Sequence, residues 1–236
     1  MTATAPTPAR RRALEVIAGH AALQDRRIVD VGCGEGGLVR ALTLKGGHVV
    51  GVECGAEMLE RARAAEPAGD ERYVEGVGQS LPLPDASADI VVFMNSLHHV
   101  PTPHMAAALA EAARVLVPDG LVLVNEPIAD GDFFQLTRLV EDEEDVRAAA
   151  HAAIRQVVAA GLFTEQDEIV YLNPVRMESY EAFALRMGLI DAGRKARVAA
   201  QEATLRAKFD ELAQPRDGAF FFDQPARLNI LVKPAR

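Results

Sequence analysis

The sequence predicts an α/β fold in which helices cover both faces of a doubly wound, mostly parallel sheet. Short runs rich in Val and Ile alternate with helical patterns, which is typical of parallel strands buried on both sides. A glycine-rich turn, Gly32 to Gly37, joins the first of these runs to a helix. The chain has 236 residues, 49% of them hydrophobic, which is enough for one good core. We therefore expect a single domain, 1–236, with three α/β/α layers.

Five strands are predicted in the first half of the chain: Arg27–Val31, His48–Glu53, Arg72–Glu75, Asp89–Met94 and Leu121–Asn125. Helices are predicted to begin near Gly36, Ala56 and Met105, and a short amphipathic helix is expected within residues 1–25. Because crossovers between parallel strands are right-handed, the strand order should reverse between the first and fourth strands. A ligand crevice is then expected at their carboxyl ends, where Gly32 and Asn95 emerge.

The glycine turn fits two nucleotide-binding patterns. One is the dinucleotide pattern G-x-G-x-x-G, formed by Gly32, Gly34 and Gly37, with the acid Glu53 about twenty residues further on. The other is acid-x-G-x-G-x-G, which starts at Asp30 and ends at Gly36. A tight strand-to-helix turn without any ligand is the third alternative.

Three later segments complete a set of motifs: Leu81–Phe93, Ser96–Val100 and Ala113–Val124. Together with the acid-glycine pattern they resemble, in order and spacing, the class I S-adenosylmethionine (SAM) methyltransferases that act on small molecules, of the Methyltransferase-11 type. The resemblance covers roughly residues 26–127 strongly and the rest only in outline. It implies a Rossmann-like sheet, SAM as cofactor and S-adenosylhomocysteine as product. It also implies two late strands, one of them antiparallel, near Glu168–Tyr171 and Leu228–Lys233.

Charge also separates the two ligand patterns. A dinucleotide brings an anionic pyrophosphate, which the carboxylate of Asp30 would repel. SAM carries a sulfonium and an ammonium, which the same carboxylate would attract. Glu53 suits both ligands, because a carboxylate can accept hydrogen bonds from the ribose hydroxyls. The charge of Asp30 therefore favours SAM over a nicotinamide dinucleotide.

The resemblance assigns the methionine part of SAM to the glycine turn, the ribose to Glu53 and the adenine to the loop 76–80. Where many relatives carry an acid in that loop, this chain has Val77, so adenine recognition is expected to use backbone groups, Gln79 or Ser80. The predicted cofactor-binding residues are Asp30, Gly32, Cys33, Gly34, Gly36, Glu53, Cys54, Met58, Gly78, Gln79, Ser80 and Asn95.

The candidates for catalysis follow the fourth strand directly. His98 and His99 are side chains whose charge changes near neutral pH, so either is a candidate general base for a protonated acceptor. Adjacent residues point in different directions, so at most one of them is expected to face the substrate. The predicted acceptor contacts are His99, Glu126, Tyr180 and Phe183. No third ligand is suggested at metal-binding spacing, so no metal site is expected.

The second half of the chain is predicted to be mainly helical. A helix is expected from Asp132 to Ala160 with Gly161 as its C-cap, and the acidic run Glu141–Asp145 is interpreted as a helix start rather than a cation site. Residues 179–214 form an insertion that begins at the N-cap Ser179, followed by a final strand segment in 215–236. The apolar stripe of Tyr180, Phe183 and Met187 fits a lid over the acceptor and a packed core equally well.

Composition excludes several classes of partner. The net charge of −9 argues against binding to nucleic acid, and no run of eighteen apolar residues predicts a membrane span or a signal peptide. Two reduced cysteines in a cytoplasmic enzyme are expected. The alternatives left open are a protein or nucleic-acid methyltransferase, a nicotinamide oxidoreductase, and a non-catalytic SAM-binding protein. The sequence leaves the acceptor and the oligomeric state undetermined.

Overall fold

A computed structural model describes residues 8–189 and 192–235. Its strands are β1 (Arg27–Val31), β2 (His48–Glu53), β3 (Arg72–Glu75), β4 (Ala88–Met94), β5 (Leu116–Pro127), β6 (Thr164–Met177), β7 (Gln214–Arg216) and β8 (Ala219–Val232). Its α-helices are α1 (Ala13–His20), α2 (Gly37–Thr43), α3 (Ala56–Ala64), α4 (Met105–Val115), α5 (Gly131–Thr137), α6 (Glu144–Ala159), α7 (Tyr180–Gly188), α8 (Ala192–Ala200) and α9 (Glu202–Leu212). None of the helices in these residues has the length and apolarity needed to cross a membrane.

The strands form one mixed sheet in the order β3-β2-β1-β4-β5-β8-β6, with β7 paired to β8. The pairs from β3 to β5 are all parallel, and β7 pairs antiparallel with β8. The order reverses between β1 and β4, as predicted, so the carboxyl ends of these two strands flank the switch point. The mostly parallel Rossmann-like fold is therefore confirmed.

Contacts group the described residues into two compact units, and the single domain stays a prediction. The first, the sheet unit, comprises residues 13–126, 146–169 and 227–235, and the second, the helical unit, comprises the described residues of 8–12, 127–145 and 170–226. The core of the sheet unit is built from Val and Ile of the strands and from the apolar face of α4, including Leu109 and Ala112. Residues 1–7 of the predicted N-terminal segment lie outside the described residues.

The helical unit has its own aromatic core. Tyr180, Phe183 and Phe209 pack with ring centroids 5.8–6.1 Å apart, and Phe222 lies 5.1 Å from Phe209. Ser179 Oγ accepts the Ala182 N–H at 3.2 Å, so the predicted N-cap of α7 is confirmed. The sequence did not decide whether the stripe of Tyr180, Phe183 and Met187 forms a lid or a core. The structure buries it in a core.

The predicted long helix, 132–160, is two helices, α5 and α6. The acidic run lies at the break, where the Asp142 carboxylate accepts the Glu144 N–H at 3.1 Å and so supports the start of α6. At the far end, Gly161 has a φ of 72°. The Gly161 and Leu162 N–H groups bond to the carbonyls of Val158 and Val157, respectively. This is the Schellman arrangement, and it confirms the predicted C-cap.

The acidic run is also paired with arginines of the helical unit rather than left in solvent. Arg194 is 8% exposed and forms ion pairs with Glu141 and Glu143, while Arg138 lies 2.7 Å from Asp142. These contacts agree with the prediction of a helix start. They also show that two of the carboxylates are bound to one buried guanidinium.

The late strands are longer than predicted. Residues 116–120 extend β5 because the backbone of Asp119 and Gly120 bonds to Lys233, with distances of 3.0 and 2.9 Å. The predicted strand near 168–171 lies within β6, and the one near 228–233 matches the end of β8 except for Lys233. Both β6 and β8 have 14 residues.

Candidate active site

The glycine turn is built for the acid-x-G-x-G-x-G pattern. Gly32, Gly34 and Gly36 have φ values of 73°, 53° and 76°, in the left-handed region that side chains disfavour. Gly37 has no positive φ and is the first residue of α2. A Cβ on Gly32 would lie 2.7 Å from Ser96 Cβ, so this turn also needs close approach to the loop after β4. The glycines that the backbone requires are those of the methyltransferase pattern.

Glu53, at the end of β2, ties this turn to the next helix. Its Oε2 accepts the Gly34 N–H at 2.8 Å and its Oε1 accepts the Gly55 N–H at 2.7 Å, where Gly55 is the N-cap of α3. Each carboxylate oxygen can accept a further hydrogen bond. Glu53 therefore holds both loops of the predicted cofactor site and keeps acceptor capacity for ribose hydroxyls.

Asp30 is a buried carboxylate in the middle of the sheet. It is 1% exposed, and its β1 position pairs with Gly51 of β2 and Val92 of β4. Its Oδ1 has no hydrogen-bond partner among the described residues. Burial, and then the charge of Glu53, raises the pKa of Asp30 to about 7. A carboxylate with an orphaned oxygen beside a second acid fits a cationic ligand such as SAM, and would be repelled by a pyrophosphate.

Both cysteines are free thiols. Burial, followed by the charges of Asp30 and Glu53, raises the pKa of Cys33 to about 12. Burial and Glu53 also raise the pKa of the exposed Cys54. A thiol with a raised pKa stays protonated and is a poor nucleophile at neutral pH. Neither cysteine is therefore a candidate nucleophile, and their contact with the cofactor stays a prediction.

The remaining predicted cofactor residues frame the end of β3. Ser80 N–H donates to the Val77 carbonyl at 3.1 Å, which closes the loop 76–80, and Gly76 N–H donates to the Glu53 carbonyl at 3.1 Å. Gly78 lies against Val31, and a Cβ there would be 3.4 Å from it. Gln79 is half-buried and Ser80 is exposed. Met58 lies beside Gly55 on α3. The loop that the resemblance assigns to adenine therefore adjoins both Glu53 and the end of β1.

Asn95, the residue after β4, has a φ of 53°, which is uncommon for a residue with a side chain. Its N–H donates to the Asn125 carbonyl at 2.8 Å. The next residue, Ser96, is buried and donates from Oγ to the Val31 carbonyl at 2.5 Å. Such backbone strain is found where a fold holds functional groups in place. The loop after β4 is consequently fixed both to β5 and to the strand that precedes the glycine turn.

His98 and Glu126 form a buried pair. They are 4% and 8% exposed, and His98 Nδ1 makes a short hydrogen bond with Glu126 Oε2. Glu126 Oε1 accepts the N–H groups of Ser96 and Leu97 at 3.1 and 2.8 Å. The Glu126 carboxylate is thus used by the loop backbone and by the imidazole, and its contact with the acceptor stays a prediction.

His99 lies on the other side of the same short 3₁₀ turn. It is exposed, and its ring centroid is 4.0 Å from that of His98 with the planes tilted by 47°. The two adjacent histidines thus differ in burial. The imidazole of His98 is held by the Glu126 carboxylate. That at most one of them faces the substrate stays a prediction.

Tyr180 and Phe183 are predicted acceptor contacts that the structure buries. They are 5% and 0% exposed in the aromatic core of the helical unit. Tyr180 is also covered by Arg206, whose guanidinium carbon is 4.2 Å from the ring centroid. The two rings are therefore packing residues in this conformation, because neither has appreciable free surface for a substrate.

Two contributors to the site were not predicted from the sequence. Ser96 was recognised only as part of a motif, although it bonds to Val31 and Glu126. Tyr73 lies against Gly36, where a Cβ would be 2.6 Å from its ring, and its hydroxyl accepts from Arg40 at 3.3 Å. The small side chain at 96 and the aromatic residue in β3 carry no pattern that identifies these contacts in advance.

Comparison with known proteins agrees with this geometry. Residues 29–124 match a family described as a methyltransferase domain. The chain is 30% identical over 165 residues to YcgJ of Bacillus subtilis, an uncharacterized methyltransferase, covering 66% of this chain and 64% of that protein. It is 36% identical over 120 residues to a ubiquinone biosynthesis O-methyltransferase of Neisseria meningitidis, covering 48% of each. The chain thus spans between about half and two thirds of these relatives.

The fold comparison extends over almost the whole chain. The crystal structure of YcgJ superposes with a TM-score of 0.65 at 24% identity, and the match covers 94% of this chain and 97% of YcgJ. An identity at this level shows the shared fold, and the match over residues 29–124 shows similarity to a methyltransferase domain in that part of the chain. On both grounds, the chain resembles the class I SAM-dependent methyltransferases.

Proposed function

We propose that this protein transfers a methyl group from SAM to a small-molecule acceptor and that His98 removes the proton from the accepting atom. The observation that carries the proposal is the buried imidazole of His98 at the carboxyl end of β4, beside the sheet's switch point. Ligands of doubly wound sheets bind at this edge. A neutral imidazole is a suitable base near neutral pH.

The cofactor side of the proposal rests on Asp30, Glu53 and the glycine turn. Bound SAM supplies a methyl carbon whose bond to sulfur breaks as the acceptor atom attacks, which leaves S-adenosylhomocysteine. The acid pair makes the site favourable for its positive charges, and the turn offers backbone N–H groups. Holding the reacting groups in line can contribute roughly 7–11 kcal/mol, so positioning is the main task of these residues.

The acceptor proposed is a small molecule with a hydroxyl group, with an N–H or C–H acceptor as the second choice. A base is useful only where the acceptor loses a proton, and His98 offers one. The relative from Neisseria meningitidis is named as an O-methyltransferase, which supports oxygen as the accepting atom. The net charge of −9 favours a small molecule over nucleic acid.

The test has a binding arm and a turnover arm. Calorimetry should detect binding of SAM and S-adenosylhomocysteine but not of NAD. A panel of phenols, enols, amines and thiols should then be screened for release of S-adenosylhomocysteine. His98→Gln should lower turnover by about 10²–10⁴-fold with SAM affinity nearly unchanged, and the matched control His99→Gln should have little effect. Binding of NAD instead of SAM, or equal turnover by both variants and the wild type, would contradict the proposal.

A further inference from the structure

We propose that Glu126 is the positioning residue of the site: it fixes His98 in the tautomer that carries its proton on Nδ1, so that Nε2 is the basic nitrogen. This inference deepens the proposed function, because it rests on His98 acting as the base. It goes beyond that function in assigning to one carboxylate the choice of the imidazole nitrogen that acts as the base.

The first argument is the number of donors around Glu126. Its Oε1 accepts two backbone N–H groups, from Ser96 and Leu97, and its Oε2 contacts His98 Nδ1. An ionised carboxylate is an acceptor only. The nitrogen that faces it must therefore carry a hydrogen, and in a neutral imidazole this leaves the lone pair on Nε2.

The second argument is that the Glu126 side chain cannot easily be displaced. It is 8% exposed and lies near the end of β5, where Asn125 is paired with Met94 of β4. The two backbone N–H groups that it accepts belong to the loop that carries His98. Loss of the carboxylate would leave these buried donors without their acceptor, which destabilises the loop.

The third argument is the link from Glu126 to the cofactor turn. Ser96 donates its N–H to Glu126 and its Oγ hydrogen to the carbonyl of Val31, the residue just before Gly32. The absence of a Cβ on Gly32 allows Ser96 to lie there. Glu126, Ser96 and Val31 thus set the position of the imidazole relative to the glycine turn.

Glu126→Gln is a sharp test, because the amide is nearly the same size but has one acceptor and one donor group. The two loop N–H groups require the amide oxygen, so the NH₂ group would face His98 Nδ1. The imidazole would then have to accept at Nδ1 and carry its proton on Nε2, where it cannot act as a base. In serine proteases, an amide in place of the carboxylate that orients the catalytic histidine lowers kcat by about 10⁴-fold.

The readout is the nitrogen NMR spectrum of the full-length protein labelled at histidine, with the His98 signals assigned by their loss in His98→Gln. In the wild type the neutral ring should carry hydrogen on Nδ1, and in Glu126→Gln on Nε2. Glu111→Gln is the matched control, since Glu111 also accepts a backbone N–H, from Leu81 at 2.9 Å, and should leave the His98 tautomer unchanged.

The turnover arm uses the acceptor found by the screen. Glu126→Gln should lower kcat by at least 10²-fold, and the double variant with His98→Gln should be no slower than His98→Gln alone. A wild-type His98 with its neutral proton on Nε2 would overturn the proposal even if the variant failed to fold, as would an unchanged tautomer in Glu126→Gln. The expected tautomers with no acceptor turned over would support the positioning role and overturn the proposed function instead.

Discussion

Replacement of Asp30 by Asn tests whether the ionised carboxylate of Asp30 destabilises the folded protein when no cofactor is bound. Asp30 is fully buried, its Oδ1 has no partner among the described residues, and Glu53 lies near enough to raise its pKa. The pKa is about 7 in the folded protein against the ordinary aspartate value of 3.8, and this difference corresponds to about 4 kcal/mol.

The direction of the pH dependence follows from proton binding. Between pH 4 and pH 7 the folded protein holds a proton on Asp30 that the unfolded chain has released. The free energy of unfolding therefore falls as the pH rises through this range. The contribution from Asp30 is complete below pH 4 and is lost progressively up to about pH 7. Between pH 5 and pH 8, the loss from this one group is about 2.5 kcal/mol.

The assay is urea unfolding of the wild type and of Asp30→Asn at pH 5 and pH 8 without cofactor. An amide in a buried site has its own cost, but that cost does not depend on pH and cancels when the two pH values are compared. The wild type should lose about 2.5 kcal/mol more than the variant between these pH values. If the two proteins change in parallel, Asp30 does not take up a proton on folding and the reasoning fails.

Three further predictions concern the cofactor loops and the helical unit. Glu53→Ala should weaken binding of S-adenosylhomocysteine by about 1.5–3 kcal/mol in calorimetry, with a smaller loss for Glu53→Gln; unchanged affinity would remove Glu53 from the site. Ser179→Ala deletes the cap of α7 and should lower the free energy of unfolding by about 1 kcal/mol in urea; no loss would mean that the Ala182 N–H finds another acceptor. Because the apolar stripe of α7 is buried in a core, amide hydrogen exchange in α7 and α9 should be slow in the free protein. Fast exchange that slows only when SAM and the acceptor are both present would make this segment a lid instead.

The strands of the sheet could be predicted because the apolar pattern that indicates a strand lies within the strand's own residues. Runs such as Ile28 to Val31 can only be buried on both faces, and three of the five predicted early strands have the bounds observed. The later strands were predicted too short, since their extra length depends on bonds between distant segments, such as Gly120 with Lys233. Sequence periodicity contains no information on such bonds.

Most residues of the candidate site could be named from the sequence, but the contacts between them could not. Glu126 was recognised at a strand end, but its partner could not be identified without the register that places Met94 opposite Asn125. That register brings the ends of β4 and β5 side by side, and the carboxylate then meets His98. The stripe of Tyr180 and Phe183 was ambiguous for a related reason, because apolar spacing does not say which aromatic residues lie across from it.

The separate aromatic core of the helical unit has a consequence for the evolution of this fold. Its buried residues, among them Phe183, Phe209 and Phe222, are distinct from those of the sheet unit's core. A substitution in a packed core is felt first by the side chains that touch it. Within the helical unit, a change at Phe183 would therefore be compensated most directly at its ring neighbours Tyr180 and Phe209. A lineage could in this way repack these rings together, by paired substitutions inside one unit.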